Sequence, residues 1–233
     1  MNGVSAILLT VSGAPTRSQR EPHAPRLAES LVESRRETLC ARDDWQHERV
    51  VGDLTGQVAD HVEISGCVLQ GLRLTGARLE HLRLVDVRAV DCELSGAIVT
   101  ESSMQRVEFV NCRMSGIVIS EAKLRDVLLR ECKLDDANLR FVKAERFAAV
   151  GCSLVGADFA EAVFTSSAFS GCDLRRAEFS KASMKGARLA GSNLEGIRGA
   201  AYLRGVVVGT DQVLPLALGV FSDLGISIRD EED

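Results

Sequence analysis

The sequence predicts an all-β solenoid whose chain turns a corner every five residues and closes a square after four such units. Three observations carry this. From Leu54 to Leu194, each of the 29 residues whose number ends in 4 or 9 is Leu, Ile, Val, Met, Phe or Ala. Between residues 50 and 199, no charged residue has a number ending in 2, 4, 7 or 9. Cys92, Cys112, Cys132, Cys152 and Cys172 recur every 20 residues, which is four units of five. A helix repeats every 3.6 residues and a flat strand every 2, so neither explains a period of five.

Within one unit, the two inward slots are separated by a single outward one, as in a strand. Numbers ending in 4 or 9 carry the large apolar group. Those ending in 2 or 7 carry mostly Ala, Val or Cys, with Gly52, Gln57, Ser102, Ser167 and Ser192 as departures. The remaining two residues must turn the corner. Twelve of the 14 glycines between 50 and 199 end in 1 or 6, where a left-handed backbone is needed. Coils of 20 residues stacked at ~4.8 Å make about seven layers and a rod roughly 35 Å long. Aromatic residues are only 4% of the chain, which suits a narrow interior filled by aliphatic and thiol groups.

Each end of such a rod requires a cap, because it exposes apolar surface and unpaired backbone. Residues 1–25 read as a disordered tail. Val4–Val11 is mildly apolar but lacks the basic flank of a secretory signal. Residues 26–49 read as a partly helical N-terminal cap, since Pro25 precedes Leu27 and Leu31 at a spacing of four, and Trp45 stands just before the first coil. The repeat occupies 50–199. Residues 200–233 read as a last strand over Leu203–Val208 and a helix capped by Thr210 and ended by Gly225. Ile226-Ser227-Ile228 adds an extended piece before the acidic tail.

Units such as Ala137-Asn138-Leu139-Arg140, Ala157-Asp158-Phe159-Ala160, Cys172-Asp173-Leu174-Arg175 and Ser192-Asn193-Leu194-Glu195 resemble the A(D/N)LXX motif. Over about 150 residues the chain resembles the pentapeptide-repeat proteins. The resemblance implies a right-handed quadrilateral parallel β-helix. The end of the chain resembles the C-terminal cap of actinobacterial-type members. In the gyrase-inhibiting members such a helix forms the dimer contact.

Charge narrows the functions. The repeat holds 19 basic and 20 acidic residues, so it offers neither a basic stripe for nucleic acid nor a sustained acidic field. Five thiols in one file read as structural core groups in a reducing compartment, and a cytoplasmic location is expected. In that file Ser is expected to lack a hydrogen-bond partner. His61 and His81 lie 20 residues apart, so they stack on one edge that Glu101 and Glu121 continue. The file could bind a divalent metal weakly, but no cysteine or third histidine converges there; the edge reads as a solvated row, with no metal or cofactor site assigned.

One outward file is unusually apolar, with Val68, Val90, Val110, Leu128, Ala148 and Val150 among its members. It is an interface, a face covered by the N-terminal segment, or neither, with Val present for its β-propensity alone. Phe141, Phe147 and the run Ala148-Ala149-Val150 point to a local irregularity. Val90, Val110, Leu128, Val150 and Phe141 are candidate interface residues, together with Leu218 and Phe221 of the end helix. No catalytic constellation is present, and the chain reads as a non-enzyme without cofactors. The expected function is a protein-binding scaffold or adaptor with an unidentified protein partner, and a homodimer through the C-terminal helix. Direct nucleic-acid binding and membrane association are not expected. The alternative is a DNA-gyrase or topoisomerase modulator acting by DNA mimicry and quinolone protection.

Overall fold

The computed structural model describes residues 21–227, which wind into a parallel β-solenoid of about seven coils with one short helix at the C-terminal end. Coils pair in register 20 residues apart. Lys123 faces Ser103 on one side and Lys143 on the other, and Val127 lies between Val107 and Phe147. Four sides result. Side 1 and side 2 are carried by Arg83–Val90, Ser103–Val110, Lys123–Arg130 and Lys143–Val150, each of which bends at its middle. Side 3 pairs Arg113 with Glu93 and Lys133, and side 4 pairs Val118 with Ile98 and Asn138.

The inward slots are filled as the pattern requires. Leu134, Ala137, Leu154, Ala157 and Leu174 are fully buried. The few large rings are concentrated near the C-terminal half, where Phe147, Phe159, Phe164, Phe169 and Phe179 interlock with centroid separations of 5.1–5.8 Å. Corners fall on numbers ending in 1 or 6 and have a left-handed backbone, whether the residue is Gly116 (φ 66°), Asn111 (φ 52°) or Glu131 (φ 53°). Left-handed geometry disfavours most side chains. The hydrogen bonds to the coils above and below hold it, as where the Glu131 N–H donates to the Val150 carbonyl at 2.9 Å. The register through Phe141, Phe147 and Val150 is unbroken, so the expected irregularity is absent: Phe147 fills an ordinary inward slot and Phe141 an ordinary corner.

The N-terminal region differs from expectation. Residues 26–49 contain no helix. Val32–Arg36 runs parallel to Glu48–Gly52, and Asp44–Gln46 pairs with Glu63–Ser65. The open first coil presents a row of unpaired backbone groups, and pairing them outweighs the weak helical signal of Leu27 and Leu31. Trp45 and Val50 occupy the inward row one residue out of phase with Leu54, so the coil begins before residue 50. Gly52 absorbs that shift at φ 151°, where a Cβ would collide with the Arg36 carbonyl oxygen. The Arg36 guanidinium sits 5.1 Å from the Trp45 ring and closes this end.

The C-terminal end is closed by a different device. Ala200–Tyr202 forms a 3₁₀ turn, and of the strand expected over Leu203–Val208 only Val207 bridges, to Arg188. A second 3₁₀ turn, Thr210–Gln212, precedes the helix Val213–Asp223, so Gly209 rather than Thr210 stands at the entry. Pro215 lies in the first helical turn, where its missing N–H costs nothing. Gly225 (φ 70°) ends the helix in a Schellman arrangement, with Ile226 N–H on the Phe221 carbonyl at 2.8 Å and Gly225 N–H on that of Ser222 at 3.1 Å. Ile228 and the acidic tail lie outside the described residues, as does Val4–Val11.

Two glutamines satisfy end groups that the repeat leaves open. Gln57 accepts from the Leu39 N–H at 2.6 Å and donates to the Glu37 carbonyl at 2.9 Å. Buried Gln212 donates to the Leu189 and Ser192 carbonyls, each at 2.6 Å. Asp223 then fastens the helix, accepting from the N–H groups of Gly199 at 3.1 Å and Ala201 at 2.9 Å.

The cysteine file is a stack of single thiols, each bonded to backbone. The Cys132 thiol donates to the Phe109 carbonyl at 3.5 Å and the Arg130 carbonyl at 3.3 Å. Ser192 continues the file, and there the expectation that Ser would lack a partner fails. Its hydroxyl donates to the Phe169 carbonyl at 3.2 Å and accepts from the Cys172 N–H at 3.1 Å. Chemical denaturation should therefore show Cys132→Ser within about 1 kcal/mol of the native chain, since the hydroxyl inherits both kinds of partner. Cys132→Leu should cost about 1–3 kcal/mol by overpacking. A large loss for Ser would mean that this layer cannot present the geometry seen at Ser192.

Candidate interaction surfaces

The edge between sides 1 and 2 carries a charge ladder that the five-residue period does not reveal. Asp86, Arg106, Asp126 and Arg146 take the corner slot of four successive coils, alternating in sign. Arg106 donates to both oxygens of Asp86 at 2.6 Å, and Arg146 to those of Asp126 at 2.6 and 2.9 Å. Glu145 also pairs with Arg146. The Asp126 side chain is only 5% exposed, so this is a nearly buried bidentate pair. The Arg146 guanidinium, opposed by burial and helped by the backbone N–H and ring of His23, holds the Asp126 carboxyl well below the usual carboxylate range. Sorting residues by 20 rather than by 5 would have shown the alternation.

The same edge anchors the N-terminal segment. The His23 N–H and ring Nδ1 reach Asp126 Oδ1 at 3.1 and 2.8 Å, and the Arg26 N–H donates to Asp86 Oδ1 at 2.9 Å. Leu27, Ala28 and Leu31 then border a shallow recess with Val68, Arg88 and Val90. Residues 21–31 thus form a strap along the stack, and the portion 21–25 of the expected disordered tail is part of it. Val68, on the apolar file, is buried. Of the candidate interface residues, Val90, Val110, Leu128 and Val150 are half-buried on side 2. Phe141 stands apart on the edge between sides 4 and 1, at φ 60° and 41% exposed, with the Arg140 guanidinium 5.4 Å from its ring.

Leu218 and Phe221 are on the end helix, far along the chain from those four. The helix turns Gly219 onto the last coil, where a Cβ would lie 3.1 Å from that of Ala200. Its other face leaves Leu214 68%, Leu218 45% and Phe221 38% exposed.

The edge between sides 4 and 1 also holds the histidines. The rings of His61 and His81 stack with centroids 4.5 Å apart. Asp60, which the sequence reading did not include, joins them: its two carboxylate oxygens lie 2.8 Å from His61 Nδ1 and 2.8 Å from His81 Nδ1. Glu101 Oε2 is 3.6 Å from His81 Nε2. The hydrogen bond between Asp60 and His81 holds the Asp60 carboxyl below its ordinary range and raises the His81 imidazole. Inside the solenoid, a void of about 30 Å³ lies among Leu84, Met104 and Met114, lined by apolar atoms alone. It has room for about one water and nothing polar to hold it.

The five-residue corners and the 20-residue register coincide with a match to the family model described as pentapeptide repeat region, over residues 129–198. That stretch of the chain is a pentapeptide repeat region. No curated protein gives a match. Among solved structures, the chain is similar to a trypsin-treated variant of QnrB1, a plasmid-mediated fluoroquinolone resistance protein. That likeness has 20% identity, 82% coverage of this chain, 100% of the other and a TM-score of 0.39. It is also similar to HetL, a pentapeptide-repeat protein involved in heterocyst differentiation regulation in the cyanobacterium Nostoc sp. There the identity is 16%, coverage is 77% of this chain and 88% of the other, and the TM-score is 0.35. Among the described residues, no helix is long and apolar enough to cross a membrane.

Asp126 supplies the pH test. Its folded pKa is depressed, so its contribution is complete above the unfolded value of about 3.9 and is lost as pH falls through the folded value. In a His23→Ala background, which removes the imidazole that touches this carboxylate, the melting-temperature gap made by Asp126→Asn should stay constant from about pH 8 to 5 and shrink only below about pH 4. Arg146→Ala, which strands a nearly buried carboxylate, should cost about 3 kcal/mol at pH 7. A gap that varies between pH 8 and 5 would place the controlling titration elsewhere.

Proposed function

We propose that this protein is a non-enzymatic, cytoplasmic protein-binding scaffold that self-associates through its C-terminal helix and offers the sides of the rod to a protein partner. The observation that carries this is the row Leu214, Leu218 and Phe221, solvent-exposed on a helix whose opposite face is fixed to the last coil. Apolar side chains held rigidly at one end of a rod lose little entropy on docking and gain from leaving water. Because the strap already lies on the edge between sides 1 and 2, the terminal helix is the freer apolar surface. All seven cysteines are unpaired, in keeping with a reducing compartment.

Charge supports a protein partner over nucleic-acid mimicry. Pairs such as Arg106 with Asp86 and Arg198 with Glu178 join successive coils, so sign alternates along the axis where a mimic of DNA needs a continuous acidic row. Light scattering after size exclusion is expected to give a mass near twice the chain's 25.1 kDa. The double variant Leu218→Glu with Phe221→Glu is expected to give a monomer of unchanged circular dichroism. A native chain that remains monomeric at about 100 µM, where a contact of ordinary affinity is populated, would remove the self-association. Inhibition of gyrase supercoiling at low micromolar protein would replace the scaffold reading with topoisomerase modulation.

A further inference from the structure

The edge between sides 4 and 1 brings two imidazoles and a carboxylate to one point, and the fold holds them there. His61 and His81 are corner residues of successive coils, with φ 56° and 54°. The backbone on each side is fixed by pairing, Asp60 with Glu80 in register and the His61 N–H on the Glu80 carbonyl at 3.1 Å. The coil spacing of ~4.8 Å, rather than chance side-chain motion, sets the ring separation. One ligand atom from each of Asp60, His61 and His81 lies within 4.8 Å of the others. Metal–nitrogen bonds of about 2.0–2.1 Å and metal–oxygen bonds of about 2.0–2.2 Å need ligand atoms some 3–4 Å apart, so small side-chain rotations close the set.

We infer that Asp60, His61 and His81 form a surface binding site for a divalent transition-metal ion, with Glu101 as the positioning residue. His61 and His81 would bind through Nδ1, the atoms that already face Asp60. The other ring nitrogen of His81 faces Glu101 at 3.6 Å, the carboxylate partner that a metal-bound imidazole ordinarily uses to fix its orientation. Two imidazoles and one carboxylate favour zinc, cobalt, nickel or copper over magnesium or calcium, which prefer all-oxygen sites. Three protein ligands leave at least one position for water or for a donor from another molecule. The ligands are half-exposed on the rod's edge, so that donor can come from a docking partner. The inference is independent of the scaffold reading, since it needs only residues of the first coils.

The test uses the full-length, untagged chain at pH 7.5, titrated with Zn²⁺ by calorimetry and with Co²⁺ by visible absorption. One equivalent should bind saturably, with a Kd of about 10 µM. His81→Ala and Asp60→Asn should each weaken binding by at least about tenfold, and Glu101→Gln by about tenfold without abolishing it. Circular dichroism in EDTA should be the same for all, because these side chains are on the surface. In the native chain, Zn²⁺ should shift the ring nitrogen resonances of His61 and His81 and leave those of His23 and His47 in place, which requires no variant. Absence of saturable binding, equal affinity in His81→Ala, or an intense thiolate charge-transfer band with Co²⁺, which would put the metal on Cys40, would each overturn the proposal.

Discussion

The left-handed corner at every fifth residue is the constraint on which the rest of the structure depends. It bends the chain before the strand can lengthen, and four bends return it to its starting edge. Parallel hydrogen bonds to the neighbouring coils then hold the corner in a conformation that an isolated peptide of the same residues would rarely adopt. Neither part suffices alone. Corners without stacking are strained, and stacking without corners would give an open sheet with exposed edges. Because each coil contacts only its neighbours, the cost of such a fold concentrates at its two ends.

That concentration explains the ends. At the first coil the chain adds the parallel strand Val32–Arg36, and the Gln57 amide ties the connection. At the last it lays a helix across the opening and lets the buried Gln212 amide take the carbonyls of Leu189 and Ser192. Both solutions use an amide because it donates and accepts at once, as an exposed coil edge requires. The surfaces left for function are therefore of two kinds. The sides present rows of residues spaced by one coil, which suits charge ladders and ligand pairs. The end presents an apolar helix, which suits association.

Most of the solenoid was legible in the sequence because its signal is repeated. The inward slots, the corner glycines and the cysteine spacing each report the same geometry many times. What was not legible occurs once. The strap contact between His23 and Asp126 spans 103 residues and has no local mark. The Val32–Arg36 strand looked partly helical because Leu27 and Leu31 have helical spacing, and only the unpaired edge beside it decides otherwise. Asp60 was passed over because it sits in an outward slot, where carboxylates are common, and only the stacked rings of the next residue and of His81 give it meaning. The alternation of Asp86, Arg106, Asp126 and Arg146 was readable in principle at a period of 20, but not at the period of five that reveals the core.

Cross-coil disulfide formation tests the central geometry most directly. Gln105 and Arg125 are Cα partners on adjacent coils of side 1, and Glu145 is the partner of Arg125 on the next. Their side chains point the same way at a separation of ~4.8 Å, inside the range that a disulfide can bridge. Cysteines introduced together at 105 and 125 should oxidise readily and raise the melting temperature. Cysteines at 105 and 145, two coils apart, should remain reduced. Equal cross-linking of the two pairs, or none in the first, would contradict a solenoid with a 20-residue coil.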